Sequence, residues 1–142
     1  MIVALAAVAL HAPVRYRGRA QYDGTDFRGS QYQPEGTRSV AGLLQDALST
    51  RMTQPVKLHF SSRTDAGVHA RGQAFHFDLM PAADGAPLPD GDELERACNA
   101  MLPPDLRVAA VEPAPERGIF HGIDQQWHSM YWASSKLYSY RL

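Results

Sequence analysis

From Val14 the chain alternates strictly, with Val14, Tyr16, Gly18, Ala20 and Tyr22 on one side and Arg15, Arg17, Arg19 and Gln21 on the other. Period two over about nine residues predicts a half-buried strand whose outer face is a row of guanidinium groups. The Asp23-Gly24 pair is a turn signal that ends it. After a loop rich in Gly, Gln and polar groups, Ser39 is placed to cap a helix whose apolar positions Val40, Leu43, Leu44, Ala47 and Leu48 share one face. Gln54-Pro55 stops that helix. Val56, Leu58 and Phe60 then alternate with Lys57, His59 and Ser61, and Gln73, Phe75, Phe77 and Leu79 alternate with Ala74, His76 and Asp78, predicting a second and a third strand. Residues 81–92 carry Pro and Gly at a density that reads as an exposed connection. Asp92 with Glu95 three positions on resembles a capping box and predicts a second amphipathic helix over roughly 92–101. Pro103-Pro104 ends it, and Leu106 to Val111 predicts another strand. Residues 118–134 have no clear period, whereas residues 136–142 alternate again and predict a terminal strand that stops in mid-pattern.

The order β-α-β-β-α-β with a further terminal strand predicts an α/β (α+β) sandwich, ferredoxin-like or RRM-like, in which two helices cover an antiparallel sheet. With 142 residues there is room for one domain with a real core. Residues 14–142 are read as that domain and residues 1–13 as an N-terminal extension. The apolar run MIVALAAVAL is well short of the roughly 20 residues needed to span a bilayer, and it lacks the basic residue that opens a secretory signal. A weak organelle-targeting piece, a buried strand and an extension from a misassigned start codon all remain open for it.

Composition sharpens this only in places. Hydrophobic residues make up 44% and charged residues 20%, a globular rather than disordered balance. The net charge of −1 divides unevenly: residues 1–80 hold nine Lys and Arg against six Asp and Glu, and residues 81–142 hold five against nine. Twelve of the fourteen basic residues are Arg, whose planar fork suits phosphate and base recognition, so nucleic acid is permitted without being required. Cys98 is the single cysteine, which rules out an internal disulfide and a CxxC pair and makes a reducing compartment the natural reading. Its spacing with Leu94, Ala97 and Met101 marks a buried thiol on a helix face.

Between the second and third strands lies SSRTDAGVHARGQ, residues 61–73, which places a guanidinium, a carboxylate and an imidazole on one short loop. There is no GxSxG, no phosphate-cradling GxxxxGK[ST], no GxGxxG and no HExxH. The six His residues sit in no accepted metal-ligand spacing along the chain, so no metal and no cofactor is expected. Two readings of Arg63-Thr64-Asp65-Ala66-Gly67-Val68-His69 are open. In one, Asp65 bonds the backbone of a turn in which Gly67 takes the left-handed conformation. In the other, Arg63 and Thr64 hold an anionic ligand while an ionised Asp65 attacks or abstracts a proton. A lone carboxylate does not fit glycoside hydrolysis, which needs two.

The run from Arg63 to His69, continued by Gln73, resembles the active-site signature of the TruA family of tRNA pseudouridine synthases. Tyr22-Asp23-Gly24, Gly29-x-Gln31, Arg38-Ser39-Val40, Asn99-Ala100 before Leu102-Pro103, Phe120-His121 and Tyr138-x-Tyr140 follow in the family's order, so that the resemblance covers residues 14–142. It implies a pseudouridine-synthase type of fold, an isomerase acting on uridine in tRNA, in the anticodon arm, and Asp65 as catalytic nucleophile or base. It further implies that Tyr138 stacks on the extruded uracil and helps the proton step, and that Arg63 enters the RNA or pairs with phosphate. Thr64 beside it, and the Arg15, Arg17 and Arg19 row, would touch RNA. No metal or cofactor is implied, and tRNA or another structured RNA is the partner.

Ser30 stands where the family usually has Trp, and Gly122-Ile123-Asp124 lacks an Arg that generally follows the Phe-His pair. Family members also have a second, similar half that closes the cleft, and the expectation is that this chain corresponds to the N-terminal half. A second reading of a different class is therefore a non-catalytic RNA-binding or ribonucleoprotein subunit. A homodimer or ribonucleoprotein partner, and a cytoplasmic, mitochondrial or plastid setting, are left open.

Overall fold

The computed structural model describes residues 12–34 and 36–140, so the readings made for the apolar run at 1–11 lie outside the described residues. The strands are β1 (Val14–Tyr22), β2 (Leu58–Phe60), β3 (Ala70–Leu79) and β4 (Leu106–Pro113), and the helices are α1 (Val40–Met52) and α2 (Gly91–Met101). A short hairpin, β5 (Gly118–Phe120) and β6 (Ile123–Gln125), follows β4. The four-stranded sheet has the order β2-β3-β1-β4 with every neighbouring pair antiparallel. That is the split-βαβ arrangement expected from the element order: each helix carries the chain across one strand, and β3 fills the gap between β1 and β2.

Alternation decides which face of the sheet is core. Tyr16, Ala20 and Tyr22 of β1, Phe75, Phe77 and Leu79 of β3, and Leu106, Val108 and Val111 of β4 are buried together with Val40, Leu44 and Leu48 of α1 and Leu94 and Cys98 of α2. Tyr16 and Phe77 stack at 5.5 Å, as their opposed positions in the β1–β3 register allow. Cys98 is buried, and that burial pushes its thiol up to about 11, which leaves it inert at neutral pH.

Ser39 caps α1 as expected, its side chain accepting the Gly42 N–H at 3.1 Å. The second helix starts earlier than its capping-box reading. Asp90, not Asp92, is the N-cap, and its carboxylate accepts the Glu93 N–H at 2.7 Å. The Tyr16 hydroxyl donates to the Pro89 carbonyl at 2.9 Å, so the chain is anchored one residue before it turns into the helix. Glu95 is engaged elsewhere, accepting the Val111 N–H at 3.3 Å.

The unpatterned segment 118–134 is ordered by tertiary contact. His121 and Gly122 both take positive φ, 51° and 77°, which is what a two-residue hairpin loop with right-handed twist requires. Phe120 stacks on Trp132 at 5.4 Å, and the chain then lays Trp127 and Ser129 against the outer face of the sheet. The terminal strand is a correction. Residues 136–140 form no strand, with Leu137 97% and Tyr140 88% exposed, because alternation supplies only the period of a strand and no neighbouring edge among the described residues offers them hydrogen bonds.

Replacing Asp90 by Ala is expected to lower stability by about 1 kcal/mol, and replacing Asp92 by Ala by only a few tenths. Urea unfolding of the two variants checks the cap position, since the reverse order of effects would restore Asp92 as the cap.

Candidate active site

In the loop between β2 and β3, exposure alternates over residues 61–65, before the turn at 65–68. Positions 62, 64, 67 and 69 are tied to the body of the domain. Positions 63 and 65 face outward, and Arg63 and Asp65 are exposed.

Each tie is a specific hydrogen bond. The Tyr22 ring is buried at the end of β1, and its hydroxyl lies 2.8 Å from Thr64 Oγ1 and donates to Gln73 Oε1. The Gln73 amide in turn donates to the Ser62 carbonyl. Ser30, fully buried, grips Thr64 at both ends of its peptide unit: its hydroxyl accepts the Thr64 N–H at 2.8 Å, and its own N–H donates to the Thr64 carbonyl at 3.0 Å. The same Ser30 carbonyl accepts the Ala41 N–H at 2.9 Å, joining the loop to the first turn of α1. Burial pushes the Tyr22 hydroxyl above its ordinary range, against the lowering effect of its Thr64 bond, so it remains a protonated donor.

The far side of the loop rests on the 3-10 turn Gly24–Asp26. Gly24 N–H donates to His69 Nδ1 at 3.0 Å, and Gly67 N–H donates to the Phe27 carbonyl at 3.3 Å. A Cβ on Gly24 would lie 2.0 Å from the Val68 carbonyl oxygen, so only glycine admits this approach. Val68 N–H closes a turn on the Asp65 carbonyl at 3.2 Å, with Gly67 at φ 81° in the position where a type II turn needs it. Asp23 caps the 3-10 turn through the Thr25 N–H, and the Thr25 bonds hold its carboxyl below the usual range.

The turn reading of Asp65 is therefore half right. Gly67 does make a turn, but Asp65 contributes its carbonyl to it. Its carboxylate is in no hydrogen bond or ion pair among the described residues, and the Arg63 guanidinium is equally free. On the Arg63 side the loop borders a cavity of about 470 Å³ lined by Ser30, Tyr32, Lys57, His59, Arg63 and His128 among others. Asp65 is not in that lining. A second hollow of about 230 Å³ lies between the helices at Leu43, Ala47 and Met101 and is lined by none of the loop residues.

The other residues singled out from the sequence are placed differently. Tyr138 is 63% exposed in an irregular segment and forms no hydrogen bond or ring stack among the described residues, so nothing here brings it to Asp65. Arg15 pairs with Asp78 through both oxygens, at 2.7 and 2.8 Å, and also donates to the Trp127 carbonyl at 2.9 Å. Arg17 pairs with Glu112 at 2.5 Å and lies 5.5 Å from the Trp127 ring. Only Arg19 of the row is exposed and in no ion pair among the described residues. The Arg15 guanidinium holds the Asp78 carboxyl below the usual range.

Sequence reasoning missed Ser30 as a brace, and it missed a group of imidazoles. His59 faces His76 in the β2–β3 register, and His128 arrives from the covering segment, so that one ring nitrogen of each lies within 4.8 Å of the others. His76 is completely buried, and that burial holds it down at about 3. Alternation of His59 and His76 on outward positions was a signal for the first pair, but nothing local pointed to His128.

A family model described as tRNA pseudouridine synthase matches residues 19–121. Among curated proteins, the chain is similar to one of Levilactobacillus brevis, 37% identical over 134 residues, covering 90% of this chain and 43% of the relative. It is similar to one of Lacticaseibacillus casei, 38% identical and covering 89% and 45%, and to one of Solidesulfovibrio magneticus, 40% identical and covering 90% and 42%. Each of the three is named tRNA pseudouridine synthase A. The chain spans a little under half the length of these curated relatives.

Tyr22→Phe keeps the ring in the core and removes the hydroxyl that serves Thr64 and Gln73. It is expected to cost about 1–3 kcal/mol through the buried Gln73 oxygen left without a donor. Hydrogen exchange is the sharper readout: amides of residues 62–69 should lose protection while those of β1 and α1 keep theirs.

Proposed function

The chain belongs to the tRNA pseudouridine synthase family, and we propose that it carries the catalytic half of an enzyme converting uridine to pseudouridine in tRNA, with Asp65 as the reacting group. One observation carries this reading. Around Asp65 the loop is tied down at 62, 64, 67 and 69, while the carboxylate itself is exposed and bound to nothing among the described residues. A carboxylate needed only for a turn would be engaged in it.

The chemistry asked of Asp65 is balanced without a redox partner. The N1–C1′ bond of uridine breaks, the base turns, C5 bonds to C1′, and the proton lost from C5 is matched by one gained at N1. Asp65 acts as nucleophile or as base in that sequence. The target base has to leave its stack to reach an exposed loop, and Arg63, free at the rim of the cavity, is suited to enter the RNA or hold the phosphate of the everted nucleotide. Thr64 acts differently from a direct RNA contact: its hydroxyl meets Tyr22 and its peptide meets Ser30, which supports a positioning role. Of the arginine row, Arg19 is the member available to RNA backbone. A role for Tyr138 on the uracil requires the segment after residue 134 to move against the loop when RNA binds. The anticodon arm is the proposed site of modification. Residues 14–142 are proposed as the N-terminal catalytic domain, with closure of the cleft by a second half as in the family resemblance.

Asp65→Asn is expected to reduce uridine isomerisation in a tRNA anticodon arm below detection while RNA affinity changes by less than about threefold, since a neutral side chain on an exposed loop leaves phosphate contacts in place. Chemical labelling of pseudouridine followed by primer extension measures the first, and filter binding the second. Equal, nonzero activity in the two proteins removes Asp65 from the mechanism. Tight tRNA binding by a wild-type chain with no activity would favour the non-catalytic RNA-binding reading.

A further inference from the structure

We infer that His59, His76 and His128 form a binding site for a divalent transition-metal ion, Zn²⁺ being the ion whose chemistry fits it, and that the ion fastens the segment around His128 to the outer face of the sheet. This goes beyond the isomerase reading and is independent of it.

The geometry is built by three elements. The β2–β3 register sets His59 opposite His76, whose rings stack at 4.9 Å, and the segment after β6 brings the His128 ring to 4.4 Å from His76. One nitrogen of each residue lies within 4.8 Å of the others. A tetrahedral Zn²⁺ with bonds of about 2.0–2.1 Å needs nitrogens roughly 3.4 Å apart. Closing that difference takes a tilt of the exposed His59 ring out of its stack on His76 and a rotation of the half-buried His128 ring around the buried ring of His76.

A second observation points to a ligand. His76 Nε2 is buried and has no hydrogen-bond partner among the described residues. Its Nδ1 lies 2.8 Å from Ser129 Oγ and 3.3 Å from the Ser129 backbone nitrogen, and that hydroxyl donates its only proton to the His59 carbonyl at 2.9 Å. With Nδ1–H donating to Ser129 Oγ across the shorter contact, the hydroxyl both accepts and donates, the longer Ser129 N–H contact is given up, and a lone pair is left on Nε2. This is how a metal-ligating histidine is oriented, its remote nitrogen held by an outer hydrogen bond. An unpartnered lone pair in a buried site is costly, and a metal ion satisfies it.

The surroundings select the class of ion. Three imidazoles with no carboxylate among them favour Zn²⁺, Ni²⁺ or Cu²⁺ over Mg²⁺ or Ca²⁺. The nearby Arg15 charge is countered by the Asp78 carboxylate that grips it, and Arg17, opposite His76 in the β1–β3 register, is paired with Glu112. Binding replaces two existing contacts, the Ser129 N–H donated to His76 Nδ1 at 3.3 Å and the Met130 N–H donated to His128 Nδ1 at 3.2 Å. Whichever nitrogen of His128 ligates, the Met130 bond is given up, and the metal bond outweighs it.

The test uses the untagged full chain, stripped with a chelator, and Zn²⁺ and Co²⁺ as probes. Titration calorimetry and metal analysis after dialysis should give about one Zn²⁺ per chain, and Tm should rise by roughly 5–10 °C at a hundredfold excess over Kd. Co²⁺ should give the visible absorption of a tetrahedral site. His59→Ala, at an exposed position, and His128→Ala, at a half-buried one, should each weaken binding by about tenfold or more and remove the Tm rise with far-ultraviolet circular dichroism unchanged. No uptake by the wild-type chain, or uptake that neither variant weakens, overturns the proposal.

Discussion

The Tyr22 hydroxyl is the constraint on which the rest of the site depends. Its ring belongs to the core at the end of β1, so its oxygen arrives in a place where water is excluded and must find partners within the protein. It finds Thr64 and Gln73, and Gln73 passes the connection on to Ser62. Two positions of the β2–β3 loop are thereby set by the same packing that stabilises the sheet. Because an extended chain alternates, fixing 62 and 64 inward directs 63 and 65 outward. The free guanidinium and the free carboxylate are consequences of the bound neighbours.

Ser30 gives this arrangement its rigidity. A hydroxyl and a peptide acting together on Thr64 hold both its donor and its acceptor, and the Ser30 carbonyl transmits the restraint to the start of α1. Ser30 is fully buried, with the loop backbone within hydrogen-bond distance of its hydroxyl and its peptide. This polar clamp leaves no unsatisfied backbone group on Thr64. Preorganisation of this kind places a reactive group at a defined position before any substrate arrives.

The outer face of the sheet follows a different logic from the loop. In RRM-type sheets an open face with aromatic side chains receives single-stranded RNA. Here the segment from Trp127 to Ser129 lies over part of that face, and Phe75, His76 and Phe77 are buried in succession because β3 is covered on both sides. Arg15 and Arg17 become internal partners of Asp78, Glu112 and Trp127, leaving Arg19 outside. Burial also leaves His59, His76 and His128 as neutral imidazoles, each held below its ordinary range chiefly by desolvation.

By itself the sequence determined the strands β1 and β3, both helices, the sheet they imply, the loop bearing Asp65 and the family, because period, capping chemistry and a contiguous motif are local properties of the chain. Local pattern misplaced the α2 cap by two residues and promised a strand at 136–142 that residues 136–140 do not form, since a cap depends on where the preceding chain is anchored and a strand on a partner edge. Only the tertiary structure decided that Ser30 braces Thr64, that two of three outward arginines are engaged, and that His59, His76 and His128 meet. Ser30 and Thr64 are 34 positions apart, Arg15 and Asp78 are 63 apart, and His76 is 53 from Ser129, and no periodicity encodes which distant side chains a register and a covering segment will bring together.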